Sequence, residues 1–399
     1  MEIISPLAAL AVVLVALAST RLISKSLVPP AEIGRFIAID GLRGYLAVIV
    51  FLHHSFIWYQ YLRTEVWSVP ESRLFVHFGQ GGVALFFMIT GFLFFSKILD
   101  SRHQRIDWVR LYASRVLRLV PMYLFSMALF LSVIYIVTRD HASEPLWDTV
   151  ANVAKWLGFT IFGSPDINGL VRTIIVNAGV SWSLPYEWFF YVSLPLLAFF
   201  VGSKVSKILI ILSVLAVTAF GEYYLQEQYY WLFLGGMLAS VLVRMDRFSA
   251  FARGKLASWL ILVLVVYIVV RYPYLYTKTK PTWMLVVVFC LIAGGNTIFG
   301  LLSNKISRAM GEMAYSIYLL HGIILFIVFK FVIGFSTASK FTPIQHWLTI
   351  LLVTPVLIVI CGITYKYIEK YFMQKTNGLA ERLNAVRFRS ESVSATLKQ

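Results

Sequence analysis

The chain has 399 residues, of which 59% are hydrophobic and 14% charged, and its mean hydropathy is +0.78. Soluble domains carry about 25% charged residues, so this composition excludes an ordinary water-soluble globular protein. The formal net charge of +16 raises nucleic acid as a partner, but the placement of the basic residues accounts for it without one.

In chain order, apolar runs recur at lengths suited to spanning helices of about 20 residues. The first covers residues 3–20, and ten more follow near 41–62, 75–97, 119–137, 184–202, 204–222, 229–243, 256–271, 281–300, 314–334 and 346–368. A transmembrane β-barrel would instead show alternating segments of about ten residues. Ala16-Leu17-Ala18 has the small-residue pattern of a signal-peptide cleavage site. However, Glu2 precedes the run with no Lys or Arg, whereas Arg21 and Lys25 follow it, the polarity of an uncleaved helix with its N-terminus outside.

Threading the eleven spans from that start puts most of the chain's 35 Lys and Arg inside. This inner set comprises Arg21, Lys25, Arg35 and Arg43, then Lys97, Arg102, Arg105, Arg110, Arg115 and Arg118. It continues with Lys204, Lys207, Arg244, Arg247, Arg253, Lys255, Lys305, Arg308, Lys366, Lys370, Lys375, Arg382, Arg387, Arg389 and Lys398. The expectation is a multi-pass protein of the plasma (inner) membrane, with the lipid bilayer as partner, no nucleic acid and a cytoplasmic C-terminus. Cys290 and Cys361 both fall in apolar spans, which argues against a disulfide framework.

Three regions follow: residues 1–36, a transmembrane helix and basic cytoplasmic linker; 37–373, the membrane domain; and 374–399, a polar tail expected to be disordered from about Asn377. Two segments outside the spans stand out. Residues 97–118 are cytoplasmic and basic, with His103 among the Lys and Arg. Residues 138–180 are external and long for a loop. They contain Trp147 and the run Trp156–Phe162 before Gly163-Ser164-Pro165-Asp166, the composition of an interfacial or re-entrant element.

The chemistry-bearing residues start with Arg43 and His54, eleven positions apart on one predicted helix. At about 100° and 1.5 Å per residue, they share a face and stand roughly 16 Å apart. Arg43 alone reads as a positive-inside anchor, with Asp40 pairing or capping beside it. An ionisable His near mid-membrane, by contrast, is a functional-site hypothesis. His53 points well away from the Arg43 line, and neighbours on a helix do not converge on a metal. No metal site is predicted, and no Walker loop is present.

Further along, Gly81-Gly82-Val83-Ala84-Leu85-Phe86-Phe87-Met88-Ile89-Thr90-Gly91-Phe92 opens a span with small residues suited to close helix packing. In Arg115-Val116-Leu117-Arg118-Leu119-Val120-Pro121-Met122-Tyr123, the two arginines share a helix face. They are either a charged flank or a clamp for an anionic ligand. Ser181-Trp182-Ser183-Leu184-Pro185-Tyr186-Glu187 opens another helix, with Ser183 as its N-cap and Glu187 stabilised by the helix dipole or facing a polar cavity. Tyr315-Ser316-Ile317-Tyr318-Leu319-Leu320-His321 sets a second His inside a span, structural or catalytic. Ile368-Glu369-Lys370 reads as a terminus signal.

In this order the motifs resemble the acyltransferase-3 family of integral membrane O-acyltransferases, from about Ile37 to Phe372. They are D-G-L-R-G, Arg-x10-His, G-V-x-L-F-F-x-x-x-G-F, R-x-x-R-x-x-P-x-Y, W-S-L-x-x-E and Y-S-x-Y-L-x-H. Two departures are Thr90, which keeps the hydroxyl of the usual Ser, and Pro185-Tyr186 next to the acid.

The resemblance implies an all-α polytopic membrane protein, a ten-helix bundle plus one extra N-terminal transmembrane helix. It implies transfer of an acyl group, commonly acetyl, from cytoplasmic acetyl-CoA to a hydroxyl of an extracytoplasmic glycan or lipid-linked saccharide, with some relatives acylating small molecules. The catalytic residues it implies are His54, Glu187 and Arg43. The acyl-CoA contacts are Arg43, Arg115, Arg118 and Tyr123. Acetyl-CoA is then a donor substrate rather than a resident cofactor. His54 would be general base or carry the acyl group, with Glu187 orienting it or positioning the acceptor. A multi-pass transporter or flippase, with the same charges forming a pathway, is the competing class.

Overall fold

The computed structural model describes residues 3, 5–29, 36–102, 106–140, 144–223, 226–276 and 279–385. The inner-set residues Arg35, Arg105, Arg387, Arg389 and Lys398, and also His103, lie outside them. The described residues form helices and connecting turns with no strand, so the protein is an all-α polytopic membrane protein.

The N-terminal helix α1 (Pro6–Ile23) is followed by three long helices, α2 (Ile37–Thr64), α3 (Arg73–Asp100) and α4 (Trp108–Thr138). A short α5 (Leu146–Leu157) and two 3-10 turns, Thr173–Asn177 and Val180–Ser183, lead into α6 (Leu184–Phe200). Then come α7 (Lys207–Tyr223), α8 (Glu227–Leu242), α9 (Asp246–Ala252), α10 (Lys255–Arg271) and α11 (Thr279–Ala293). The chain closes with α12 (Lys305–Glu312), α13 (Ala314–Ile327), α14 (Phe335–Ala338), α15 (Pro343–Thr364) and α16 (Lys370–Met373). Each of the eleven predicted spans falls on a helix. Six helical segments among the described residues are long and apolar enough to cross a membrane, and a seventh counts if the bent α9–α10 pair is one span. The remaining apolar helices have 15 to 17 residues, about 23–26 Å at 1.5 Å per residue.

Several boundaries differ from expectation for identifiable reasons. Helix α4 starts at Trp108 rather than near 119, because the Asp107 carboxylate accepts from the Arg110 backbone amide at 2.9 Å and caps it. Arg115 and Arg118 are therefore helical. Helix α11 stops at Ala293 although apolar residues continue. Gly295 takes φ +106°, and the Asn296 side chain bonds the Ala252 carbonyl at 2.7 Å and the Ile298 amide at 2.8 Å. Helix α15 opens with a capping box between Thr342 and Gln345. The tail, expected to be disordered from about Asn377, remains helical over 376–385 with Ala380 buried, and residues 386–399 lie outside the described residues.

Within lipid, apolar side chains gain little from leaving one apolar surface for another, so close packing and satisfied polar groups hold helices together. Lipid-facing rows are visible as exposed Leu7, Leu10 and Leu14 on α1 and Val263, Val266 and Val270 on α10. The extra helix α1 packs along α15, and the Trp347 indole donates to the Ile3 carbonyl at 3.1 Å. Helix α3 packs along α8, where a Cβ on Gly91 would stand 2.4 Å from the Phe233 carbonyl oxygen. The 138–180 segment contains amphipathic α5, with Leu146, Trp147 and Val150 exposed on one side and Trp156 fully buried on the other.

Helix α2 runs through the centre, touching α1, α3, α12 and α13. Its contact with α12 is main chain on main chain: a Cβ on Gly311 would lie 1.7 Å from the Asp40 carbonyl oxygen. A Gly311→Ala substitution must push α12 from the Arg43 end of α2. The expected outcome is a stability loss of about 1–3 kcal/mol, read as a lower melting temperature in detergent. An unchanged melting temperature would mean that α12 slides freely on α2.

Candidate active site

A cavity of about 800 Å³, counting its opening, lies between α2, α3, α4, α6 and α13. Arg43 enters it from α2, Thr90 from α3, Arg115 and Arg118 from α4, Glu187 and Tyr191 from α6, and Tyr315 and Tyr318 from α13. Residues distant in sequence thus meet in one space: Arg43, Arg115 and Arg118 lie together as expected, and Glu187, expected beside His54 or the acceptor, joins them. Among the described residues none of these four takes part in an ion pair within 4.0 Å. Arg115 lies over the Phe94 ring at 5.0 Å and donates to the Ser114 hydroxyl at 3.3 Å. The Glu187 carboxylate accepts from the Thr90 hydroxyl at 3.1 Å, so the hydroxyl kept at this position has a use.

The shell beyond Arg43 is acidic. Asp40, Glu312 and Glu369 act electrostatically on its guanidinium without closing on it as ion pairs. Glu369 is only 1% exposed, which overturns its reading as a terminus signal. It stands in a π-helical turn, Tyr365–Glu369, whose extra residue re-aims the side chains that follow. The Ser316 hydroxyl donates to Glu369, the Thr364 hydroxyl donates to Ser316 at 3.0 Å, and the Tyr365 hydroxyl donates to Glu312 at 2.5 Å.

His54 sits eleven residues along α2 from Arg43 and does not line the cavity. Its Nδ1 is 3.1 Å from the Val50 carbonyl and 3.0 Å from Nε2 of His321 on α13. His321 is fully buried, and its Nδ1 lies 2.9 Å from the Ile317 carbonyl. Tyr318, one turn before His321, lines the cavity, and its ring centroid is 6.2 Å from the His321 ring. The imidazole pair thus lies behind the wall residue Tyr318, and neither ring lines the cavity. His53 is occupied elsewhere, its Nδ1 donating to the Phe75 carbonyl at 2.7 Å.

Three expectations change. Tyr123 lies off the cavity, fully buried, stacked on Phe159 at 4.0 Å and donating its hydroxyl to the Trp156 carbonyl at 2.5 Å. It fastens α4 to the α5 segment and is not placed to touch a donor. Ser183 occupies the start of α6, but its hydroxyl pairs with the Tyr318 hydroxyl at 2.8 Å instead of capping the helix. The group beside His54 is His321, while Glu187 bonds Thr90. The sequence signals for His321 were its place within an apolar span and the Y-S-x-Y-L-x-H motif that it closes. No group of three or more His, Cys, Asp or Glu among the described residues is placed to hold a metal ion.

The family model described as acyltransferase domain matches residues 36–366, most of the chain. The chain belongs to the acyltransferase-3 family. No curated protein and no solved structure matches it. This is therefore a membrane acyltransferase, and the cavity with its neighbouring imidazoles is the candidate active site of that activity.

Replacing Tyr123 by Phe removes one buried hydrogen bond and leaves the Trp156 carbonyl unpaired. The acyltransferase should lose about 1–3 kcal/mol of stability while keeping its KM for the donor. A raised KM without loss of stability would return Tyr123 to the binding site.

Proposed function

We propose that this acyltransferase moves an acyl group, in the simplest case acetyl, from acyl-CoA to a hydroxyl of a glycan or lipid-linked saccharide, with His54 as general base. The donor enters from the cytoplasmic side, where Arg43, Arg115 and Arg118 gather, and the acceptor approaches from the extracytoplasmic side. The observation that carries this reading is the cavity holding three arginines, none in an ion pair among the described residues, with Tyr318 of its wall 6.2 Å from the His321 ring. Guanidinium groups withdrawn from water need an anion, and their planar forks suit phosphate oxygens. CoA offers phosphates at one end and a thioester at the end of a long arm.

The chemistry needs one proton carrier. His54 takes the proton of the acceptor hydroxyl as its oxygen attacks the thioester carbonyl carbon. The carbon–sulfur bond then breaks, and the imidazolium returns the proton to the departing thiolate. Products are the ester and free CoA. Glu187, held by Thr90 and within the field of the three arginines, accepts hydrogen bonds from the arm or the acceptor. This carboxylate and Arg43 complete the site.

The test is free-CoA release by purified protein with acetyl-CoA and candidate saccharides. His54→Ala should lower acceptor-stimulated release by about 10²–10⁴-fold without weakening donor binding. Arg118→Ala should instead raise the donor's Kd by about 10–100-fold, the equivalent of a lost charge-assisted hydrogen bond. A folded wild type that releases no CoA with any donor or acceptor would move the transporter reading ahead.

A further inference from the structure

We propose that His321 is the positioning residue of this site: it accepts the Nδ1 proton of His54 and thereby leaves His54 Nε2 unprotonated, facing the reaction. The inference rests on the general-base reading and deepens it.

What each ring nitrogen can do fixes where the protons sit. A main-chain carbonyl only accepts, so His321 Nδ1, 2.9 Å from the Ile317 carbonyl, carries the proton. In a neutral imidazole the other nitrogen is then a bare lone pair, so His321 Nε2 is an acceptor. Its neighbour at 3.0 Å, His54 Nδ1, must donate. That proton is shared with the Val50 carbonyl at 3.1 Å, another group that only accepts. His54 Nε2 is left with its lone pair, and among the described residues it has no hydrogen-bond partner. Two carbonyls one helical turn back, on two helices, thus fix the tautomers of both rings.

The arrangement is held from outside. A Cβ on Gly322 would stand 2.3 Å from the Asn177 carbonyl oxygen, so α13 rests directly on the 3-10 turn. The Tyr318 hydroxyl bonds the Val180 carbonyl at 3.0 Å and the Ser183 hydroxyl at 2.8 Å. The Phe51 ring meets the His321 ring edge-on at 6.3 Å. His321 is thereby locked in one orientation, the requirement for a group that orients another.

When His54 Nε2 takes the acceptor's proton, a positive charge forms on its ring. The Nδ1–H bond to His321 becomes charge-assisted and strengthens as the charge develops. The same proton then leaves from Nε2 to the sulfur, and the Nδ1 proton stays where it was.

The experiment compares the purified full chain as wild type, His321→Leu, His321→Gln, His321→Asn and His54→Ala. It measures kcat, KM for acetyl-CoA and melting temperature. His321→Leu should lower kcat by about 10²-fold with KM within about twofold, because the His54 Nδ1–H keeps only the Val50 carbonyl and loses the partner whose bond strengthens as charge develops on the ring. His321→Gln should recover at least about tenfold of that loss, since its terminal amide oxygen reaches the place of Nε2. If the Leu variant fails to fold, Gln against Asn decides, because the shorter Asn oxygen reaches only the place of Nδ1. Gln should be the more active. A folded His321→Leu within about threefold of wild-type kcat, beside an inactive His54→Ala, would overturn the positioning role. So would equal activity of Gln and Asn. An active His54→Ala would instead overturn the general-base reading itself.

Discussion

Each of five imidazoles inside the bundle lies within hydrogen-bond reach of a main-chain carbonyl. His53 meets Phe75, His54 meets Val50, His77 meets Tyr272, His321 meets Ile317 and His346 meets Ser55. In a solvent of lipid tails, a ring proton unpaired with an acceptor costs several kcal/mol. Carbonyls exposed by helix geometry are the nearest acceptors available. One donating nitrogen per ring is thus settled by the backbone, and the other nitrogen is left to tertiary contacts.

The arginines follow the opposite rule. A guanidinium has five donors and no acceptor, so a backbone carbonyl cannot satisfy it alone. Arg43, Arg115 and Arg118 face a shared cavity, with Asp40, Glu312 and Glu369 near enough to Arg43 to act on its charge without an ion pair among the described residues. Direct pairing would consume the donors. Carboxylates held back, two of them bonded by Ser316 and Tyr365, lower the cost of clustering like charges and leave the forks for a ligand. The bundle separates a cluster of guanidinium groups from a pair of imidazoles along one helix.

What the sequence made legible was whatever depends on local periodicity. Arg43 with His54 and Arg115 with Arg118 are fixed by helix pitch alone, and each of the eleven apolar runs falls on a helix, six of the helical segments among the described residues being long and apolar enough to span. The misreadings share a different origin. Tyr123 follows the two arginines at helical spacing, yet its hydroxyl is claimed by Trp156, a residue of the next segment. Glu369 looks like an ordinary terminal charge until a π turn aims it at Ser316. Ser183 has the chemistry of a cap, but Tyr318 from another helix takes its hydroxyl. His321 becomes interpretable only beside His54, 267 positions earlier. Each depends on which helices are neighbours, and spacing along one helix carries no such information.

Neighbour choice, in turn, is written in residues without side chains. Gly311 lets α12 rest on the Asp40 carbonyl beside Arg43, and Gly322 lets α13 rest on the Asn177 carbonyl beside His321. Gly311 is the penultimate residue of α12 and Gly322 lies within α13, and only Met313 joins the two helices. A shift at either contact would move the guanidinium or the imidazole relative to the other. In the proposed reaction, the distance between them is what would let one extended donor be bound at its anionic end and react at its thioester end. A contact of backbone on backbone, having no rotamers to adjust, is a stiff way to hold that distance.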